Sequence, residues 1–236
     1  MIAAVSTVRN EADIIEASVR CLLAGGVDKL LIADASTDGT TDILRRLERE
    51  TGRVTRLVDD EPVHRQPYWI DYLAAEAGTE WILPFDADEF WFATGGKPIA
   101  QALALGVGGK LYAQLWHHQT WELKYAAPER LPKVAYRWTE EAHIAPGNHD
   151  VSLPGGTWGL LEVRHYQFRG FEHFKRKVRE RCATLDPVGR ARGDGAHMTR
   201  LDGSGDEELR AAWNEMQAAE VVRDPIPFHG RHSLDS

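Results

Sequence analysis

Short apolar runs alternate with segments of helical periodicity along the first ninety residues, and that alternation constrains the fold more than any other feature. Ile2 to Val5 reads as a buried strand. Ile14, Ile15, Val19, Leu22 and Leu23 recur at helical spacing, and Gly25-Gly26 stops the helix before a second strand over Lys29–Ala33. The turn Asp34-Ala35-Ser36-Thr37-Asp38-Gly39-Thr40, rich in helix-capping side chains, leads into a charged amphipathic helix through Leu47. Val54 to Val58, Pro67 to Ala77 and Trp81 to Phe85 continue as strand, helix and strand. Such an order predicts an α/β fold with a mostly parallel sheet, flanking helices and right-handed crossovers.

Beyond residue 92 the texture is less regular. Strands are expected over Leu111–Trp116, Lys133–Arg137 and Leu160–Phe168, with a Trp-, His- and Pro-rich loop carrying His117, His118 and Trp121. Phe171 to Ala183 reads as a helix with the basic residues Lys175, Arg176, Lys177, Arg179 and Arg181. Gly189–Gly205 reads as a polar loop, Asp206–Val222 as a last helix, and the end as a tail. The expected organisation is one domain over 1–236: a first half over 1–92, a second over 93–185, and a carboxyl-terminal loop, helix and tail over 186–236.

Composition narrows the class. Hydrophobic residues at 43% and charged residues at 27% are ordinary for a globular chain, which sets aside disordered and coiled-coil readings. A net charge of -8 argues against a nucleic acid backbone as the main partner. The only two cysteines, Cys21 and Cys182, supply neither a disulfide framework nor zinc spacing. The first residues do not read as a secretory signal, and no apolar run approaches ~18 residues, so no transmembrane segment is expected. A cytoplasmic location is the expectation, with peripheral association at the inner membrane as an alternative.

The candidate chemistry lies at Asp86-Ala87-Asp88-Glu89, directly after the apolar run Ile82-Leu83-Pro84-Phe85. Ligands of open α/β sheets collect beyond the carboxyl ends of such strands. Three acids within four residues repel one another unless a cation lies among them, and hard oxygen ligands favour Mg²⁺ or Mn²⁺. A solvated acidic turn is the bland alternative.

Asn10-Glu11 after the first strand, Asp34-Ala35-Ser36-Thr37-Asp38-Gly39-Thr40 after the second, and Asp86-Ala87-Asp88-Glu89-Phe90 after the fourth together resemble family 2 glycosyltransferases. The resemblance is to the bacterial branch with an Asp-Ala-Asp-Glu-Phe motif. It implies a GT-A fold, in which a Rossmann-like half binds a nucleotide-sugar and the second half faces the acceptor. It further implies a metal-dependent, inverting transfer of sugar to an acceptor hydroxyl, carbohydrate or other. A UDP-sugar is the favoured donor, and the metal would be held by Asp86, Asp88 and His165.

By the same resemblance, Thr7, Arg9, Glu11, Asp34, Gln66 and Asp86 would contact the nucleotide, with Asp34 reading the base, and Asp71 is a further polar candidate. Lys175 and Lys177 would approach the diphosphate. One departure is Ala33, where the family commonly has a second acid before Asp34. His149, Asp150 and Glu141, with Glu140, are the candidates for a general base. Trp116, Trp121, Tyr125 and Trp138 could stack on a sugar or belong to the core. Three rivals stand beside this reading: a nucleotidyltransferase, a non-catalytic nucleotide- or sugar-binding module, and a calcineurin-like metallophosphoesterase suggested by Gly147-Asn148-His149-Asp150. The last lacks that family's upstream Asp-x-His and Gly-Asp-x-x-Asp motifs.

Overall fold

The computed structural model describes residues 1–60, 65–118, 125–128, 131–184 and 196–217, with backbone only at 118, 125–128 and 197. Nine strands among these residues join one sheet. The strands are β1 (Ile2–Val8), β2 (Lys29–Asp34), β3 (Val54–Val58), β4 (Trp81–Pro84), β5 (Glu89–Ala93), β6 (Lys110–His118), β7 (Tyr125–Pro128), β8 (Lys133–Arg137) and β9 (Thr157–His165). Their order is β3-β2-β1-β4-β8-β6-β9-β5, with β7 paired to β6. β1 to β4 pair in parallel, whereas β8 runs antiparallel to both β4 and β6. The expectation of an α/β sheet, parallel in its first half and mixed in its second, is borne out.

Helices cross between the strands: α1 (Ile15–Ala24), α2 (Thr40–Thr51), α3 (Gln66–Ala77) and α4 (Ile99–Leu105). After the sheet come α5 (Phe171–Thr184), the short α6 (Ala196–Thr199) and α7 (Asp206–Gln217). α3 starts one residue before the expected boundary, with Pro67 in its first turn, where the missing N–H costs nothing. β9 starts and ends three residues earlier than its apolar pattern suggests. Phe168 is instead buried in a separate cluster with Phe174, Val178, Cys182, Leu209 and Trp213.

β5 has no counterpart in the sequence reading. Its residues Glu89, Phe90, Trp91 and Ala93 are buried on both faces, so the strand shows no clean apolar–polar alternation to betray it. Its place also bends the sheet. The five Cα steps from Pro84 to Glu89 span at most roughly 18 Å, whereas four flat strand spacings would need about 19 Å. The sheet therefore curls, and Phe90 of β5 packs with Tyr166 and with Ile14 and Ala17 on the α1 side.

Two cores lie on opposite faces of the sheet. Leu30, Ile32, Leu83, Trp91, Leu111 and Val163 belong to one; Val5, Ile70, Leu73, Ile82, Val134 and Tyr136 belong to the other. Leu83 is fully buried at the centre of β4, immediately before the acidic turn. We predict that Leu83→Ala costs about 2–5 kcal/mol through lost burial and the cavity left behind. Urea unfolding followed by circular dichroism reads that change. A loss below about 0.5 kcal/mol would show that this strand does not carry the core.

Candidate active site

Strand direction gathers the site. β1, β2 and β4 run parallel, so Asn10-Glu11, Asp34 and the Asp86–Asp88 turn all emerge at one edge of the sheet. β8 is antiparallel to β4 and therefore starts at that edge, with Lys133. β9 ends there with His165, opposite Glu89 of β5.

The acidic turn is divided between two sets of cations. Asp86 Oδ2 accepts from Lys133 Nζ at 2.7 Å, while Asp86 Oδ1 accepts from Gln66 Nε2 at 2.9 Å and Asn148 Nδ2 at 3.3 Å. Glu89 is fully buried and holds the same Lys133 Nζ at 2.7 Å. Its second oxygen accepts from the Asp86 N–H and the Trp91 indole. Burial pushes the Glu89 carboxyl up to about 8, with Lys133 pulling the other way.

Asp88 looks in the other direction. Its Oδ2 is paired with Lys177 of α5 and lies 3.8 Å from Arg169, while its Oδ1 lies 3.3 Å from His165 Nε2. Burial opposes ionisation, but Lys177 and His165 hold the Asp88 carboxyl well below the ordinary range. His165 is lowered to about 4 by burial, against the pull of Asp88. The ring is therefore neutral at physiological pH, and its buried Nδ1 has no partner.

Lys177 and Arg169 also bind Glu11, at 2.9 Å from Lys177 Nζ, and Arg169 grips Asp13 through two nitrogens at 2.6 and 2.8 Å. Arg176 donates to the Asn10 carbonyl, and Asn10 Nδ2 donates to Glu180. α5 is thus fastened over the loop after β1 by charge and hydrogen bonds, while its apolar face packs with α6 and α7.

The expected trio of metal ligands is not assembled, because Asp88 and His165 meet but Asp86 is turned to Lys133. Among the described residues, the group of three acid or imidazole side chains with ligand atoms within 4.8 Å of one another is Glu11, Asp13 and His173. Arg169 already fills that space.

Other expected residues are placed as follows. Thr7 Oγ1 is buried without a partner, and Arg9 is exposed. Asp34 is buried and accepts from Ser36 N, Thr41 Oγ1 and Arg56 Nε at 3.0, 2.7 and 2.6 Å, so it fastens its own turn to β3. Gln66 bridges Asp86 to the Gly147 N–H, and Asp71 accepts from Ile144 N–H. Lys175 pairs with Asp206 and Glu172, which corrects the expectation that it joins Lys177. Residues two apart on a helix point about 200° apart, and Lys175 faces α7.

Asp150 is drawn to Lys110 and Tyr112 at 2.7 and 2.8 Å. Glu141 and Glu140 are exposed. His149 Nδ1 donates to the Pro132 carbonyl at 2.7 Å, two residues from the Gly147 carbonyl that accepts from Lys133. Trp138 packs against the second core and Trp116 lies under the Arg164 guanidinium. Trp121 and the Tyr125 side chain lie outside the described residues.

Lys133, Arg169, Asp13 and His173 are site residues that the sequence reading missed. Lys133 had a local signal: it shares the inward face of β8 with Ala135, an odd place for a lysine without an acid opposite.

Residues 4–103 match the family model described as glycosyl transferase family 2. Over that stretch the chain is similar to glycosyl transferase family 2. The family segment runs from β1 through most of α4 and contains Glu11, Asp34 and the whole acidic turn, while Lys133, His165 and α5 lie beyond it. Sequence comparison with curated proteins finds no significant match. Among solved structures, S. aureus TarS 1–349 in complex with UDP-GlcNAc is 10% identical, with 91% of this chain and 78% of that chain covered, at a TM-score of 0.49. A putative glucose-1-phosphate thymidylyltransferase from Bacillus anthracis is also 10% identical, covering 93% and 85%, at 0.40. Scores this low decide nothing about ligand or reaction.

His173 supplies a pH signature of the α5 contact. Its Nδ1 accepts from the Arg169 N–H, and burial together with the Arg169 and Lys177 charges lowers it to about 3. Between that value and the unfolded value near 6.5, only the unfolded chain takes up the proton, so stability falls on acidification. Removing this proton sink in His173→Gln should make the variant lose up to about 2 kcal/mol less than the parent chain between pH 7 and 5. Parallel urea titrations at the two pH values measure it, and identical losses would contradict the assignment.

Proposed function

We propose that this chain transfers a sugar from a nucleotide-sugar to an acceptor hydroxyl, carbohydrate or other, with inversion and with a divalent metal at Asp88. The observation that carries the reading is the convergence of the Asp88 carboxylate and a neutral His165 at the sheet edge where the family segment places its acidic turn.

The donor chemistry fits a metal. The buried Asp88 carboxylate and the neutral His165 imidazole, whose Nε2 faces it at 3.3 Å, form a mixed oxygen and nitrogen set, which suits Mn²⁺ better than Mg²⁺. A divalent ion there would stabilise the charge that grows on a departing diphosphate. Lys177 presently neutralises Asp88 and Glu11 from a partly exposed helix position. In the donor complex it would exchange those carboxylates for diphosphate oxygens, which keeps its charge paired throughout. Arg169, whose side chain is only 1% exposed, would stay behind and hold Glu11 and Asp13 in place.

Thr7 and Arg9 would line the nucleoside pocket, with a UDP-sugar the favoured donor. Asp34 would hold the pocket wall through its bonds to Ser36, Thr41 and Arg56. Among the four candidate bases we assign the role to His149. Its Nδ1 donates to the Pro132 carbonyl, which orients the ring, and its loop is tied to the acidic turn through Gly147. No helix among the described residues is long and apolar enough to cross a membrane.

Thermal shift tests the donor site. UDP with Mn²⁺ should raise Tm, neither alone should do so fully, and Asp88→Asn should abolish the metal-dependent part. His149→Gln should lower turnover of a donor by at least about tenfold with little change in donor KM, consistent with the usual size of general-base effects. A shift that ignores both metal and nucleotide would refute the donor-site reading.

A further inference from the structure

The two acids of the motif differ in the kind of cation that neutralises them. Lys177 reaches Asp88 from α5, outside the sheet, and is partly exposed. Lys133 reaches Asp86 from within the sheet, and its side chain is 3% exposed. Its ammonium donates to Asp86 Oδ2 at 2.7 Å and to the Gly147 carbonyl at 2.8 Å, and it is ion-paired with Glu89 Oε1 at 2.7 Å. Such a lysine has nothing left to offer a ligand. Removing it would leave the Asp86 carboxylate beside the fully buried Glu89 with no cation between them.

Gly147 is held at both ends of its residue. Its N–H donates to Gln66 Oε1, whose amide nitrogen donates to Asp86, and its carbonyl accepts from Lys133. A closed ring of hydrogen bonds therefore runs Asp86, Gln66, Gly147, Lys133 and back to Asp86. Gly147 has φ +76°, and an added Cβ would come within 2.6 Å of His149 Nε2. Asn148 follows with φ +60° and donates a further bond to Asp86. Two successive left-handed residues, one of them not glycine, need outside support to persist, and Asp86 with Lys133 supplies it.

We propose that Lys133 is a resident counter-ion that withdraws Asp86 and Glu89 from metal binding and fastens Asp86 to the Gly147–Asn148 turn. Asp86 is then a positioning residue for the loop that carries His149, and the metal falls to Asp88 with His165. With Oδ2 on an ammonium and Oδ1 on two amides, Asp86 has three of its roughly four acceptor positions already used. The metal half of this inference rests on the proposed function; the tether does not.

Two measurements separate them. In the first, Mn²⁺ is titrated in the presence of UDP and followed by the paramagnetic resonance of the free ion. Asp88→Asn should weaken Mn²⁺ binding at least tenfold, whereas Asp86→Asn should leave it within about twofold; equal losses in both would overturn the withdrawal of Asp86. In the second, hydrogen exchange is measured on the chain alone. Lys133→Met should raise exchange at residues 145–149 at least tenfold, with Lys133→Arg rising less. Unchanged exchange in Lys133→Met would overturn the tether. Should Lys133→Met fail to fold, Gln66→Leu breaks the same ring without removing the cation and must give the same local rise. A parent chain that binds no Mn²⁺ with UDP refutes the donor-site reading and the metal half with it, while exchange still decides the tether.

Discussion

Repulsion among buried carboxylates is the constraint on which the site depends. Glu11, Asp88 and Glu89 are buried at one edge of the sheet, with Asp86 beside them. Burial raises Glu11 and pushes Glu89 to about 8, whereas Asp86 and Asp88 stay ionised against burial because cations lie in contact with them. Three elements deliver those cations. β8 brings Lys133, the segment after β9 brings Arg169, and α5 brings Lys177. The curled sheet makes this possible, because it returns β5 and β9 to the edge where β1 and β4 end.

The consequence is a site with one fixed and one exchangeable half. Asp86 and Glu89 belong to the fixed half, closed by a lysine inside the sheet. Asp88 and Glu11 belong to the other, closed by a helix whose apolar contacts are with its own neighbours. An ion pair exposed at one side can trade partners with an anionic ligand at little net cost, whereas a fully buried one cannot. In the proposed reaction that difference separates the acid that meets the metal from the acid that orients the acceptor-side loop.

Much of this was legible in the sequence. The parallel core follows from apolar runs at Ile2, Leu30, Val54 and Ile82 separated by helical periodicity, and the family segment follows from three acidic motifs in order. The pairing of charges was not legible, because it joins residues 47 to 158 positions apart: Asp86 with Lys133, Asp88 with Lys177, Glu11 with Arg169. A strand order that sends β5 beyond β9 leaves no local trace either. Lys175 and Lys177 look equivalent as members of one basic helix, and helical geometry alone sends them to opposite sides. Asp34, which reads as a ligand contact, has most of its hydrogen-bonding capacity committed to its own turn and to Arg56.

The most direct test of the divided motif is the position of the metal itself. Anomalous diffraction from a crystal of the chain with Mn²⁺ and UDP should place the ion on Asp88 and His165, with Lys133 still bonded to Asp86 and Lys177 turned to the diphosphate. An ion bridging Asp86 and Glu89, with Lys133 displaced, would contradict the account.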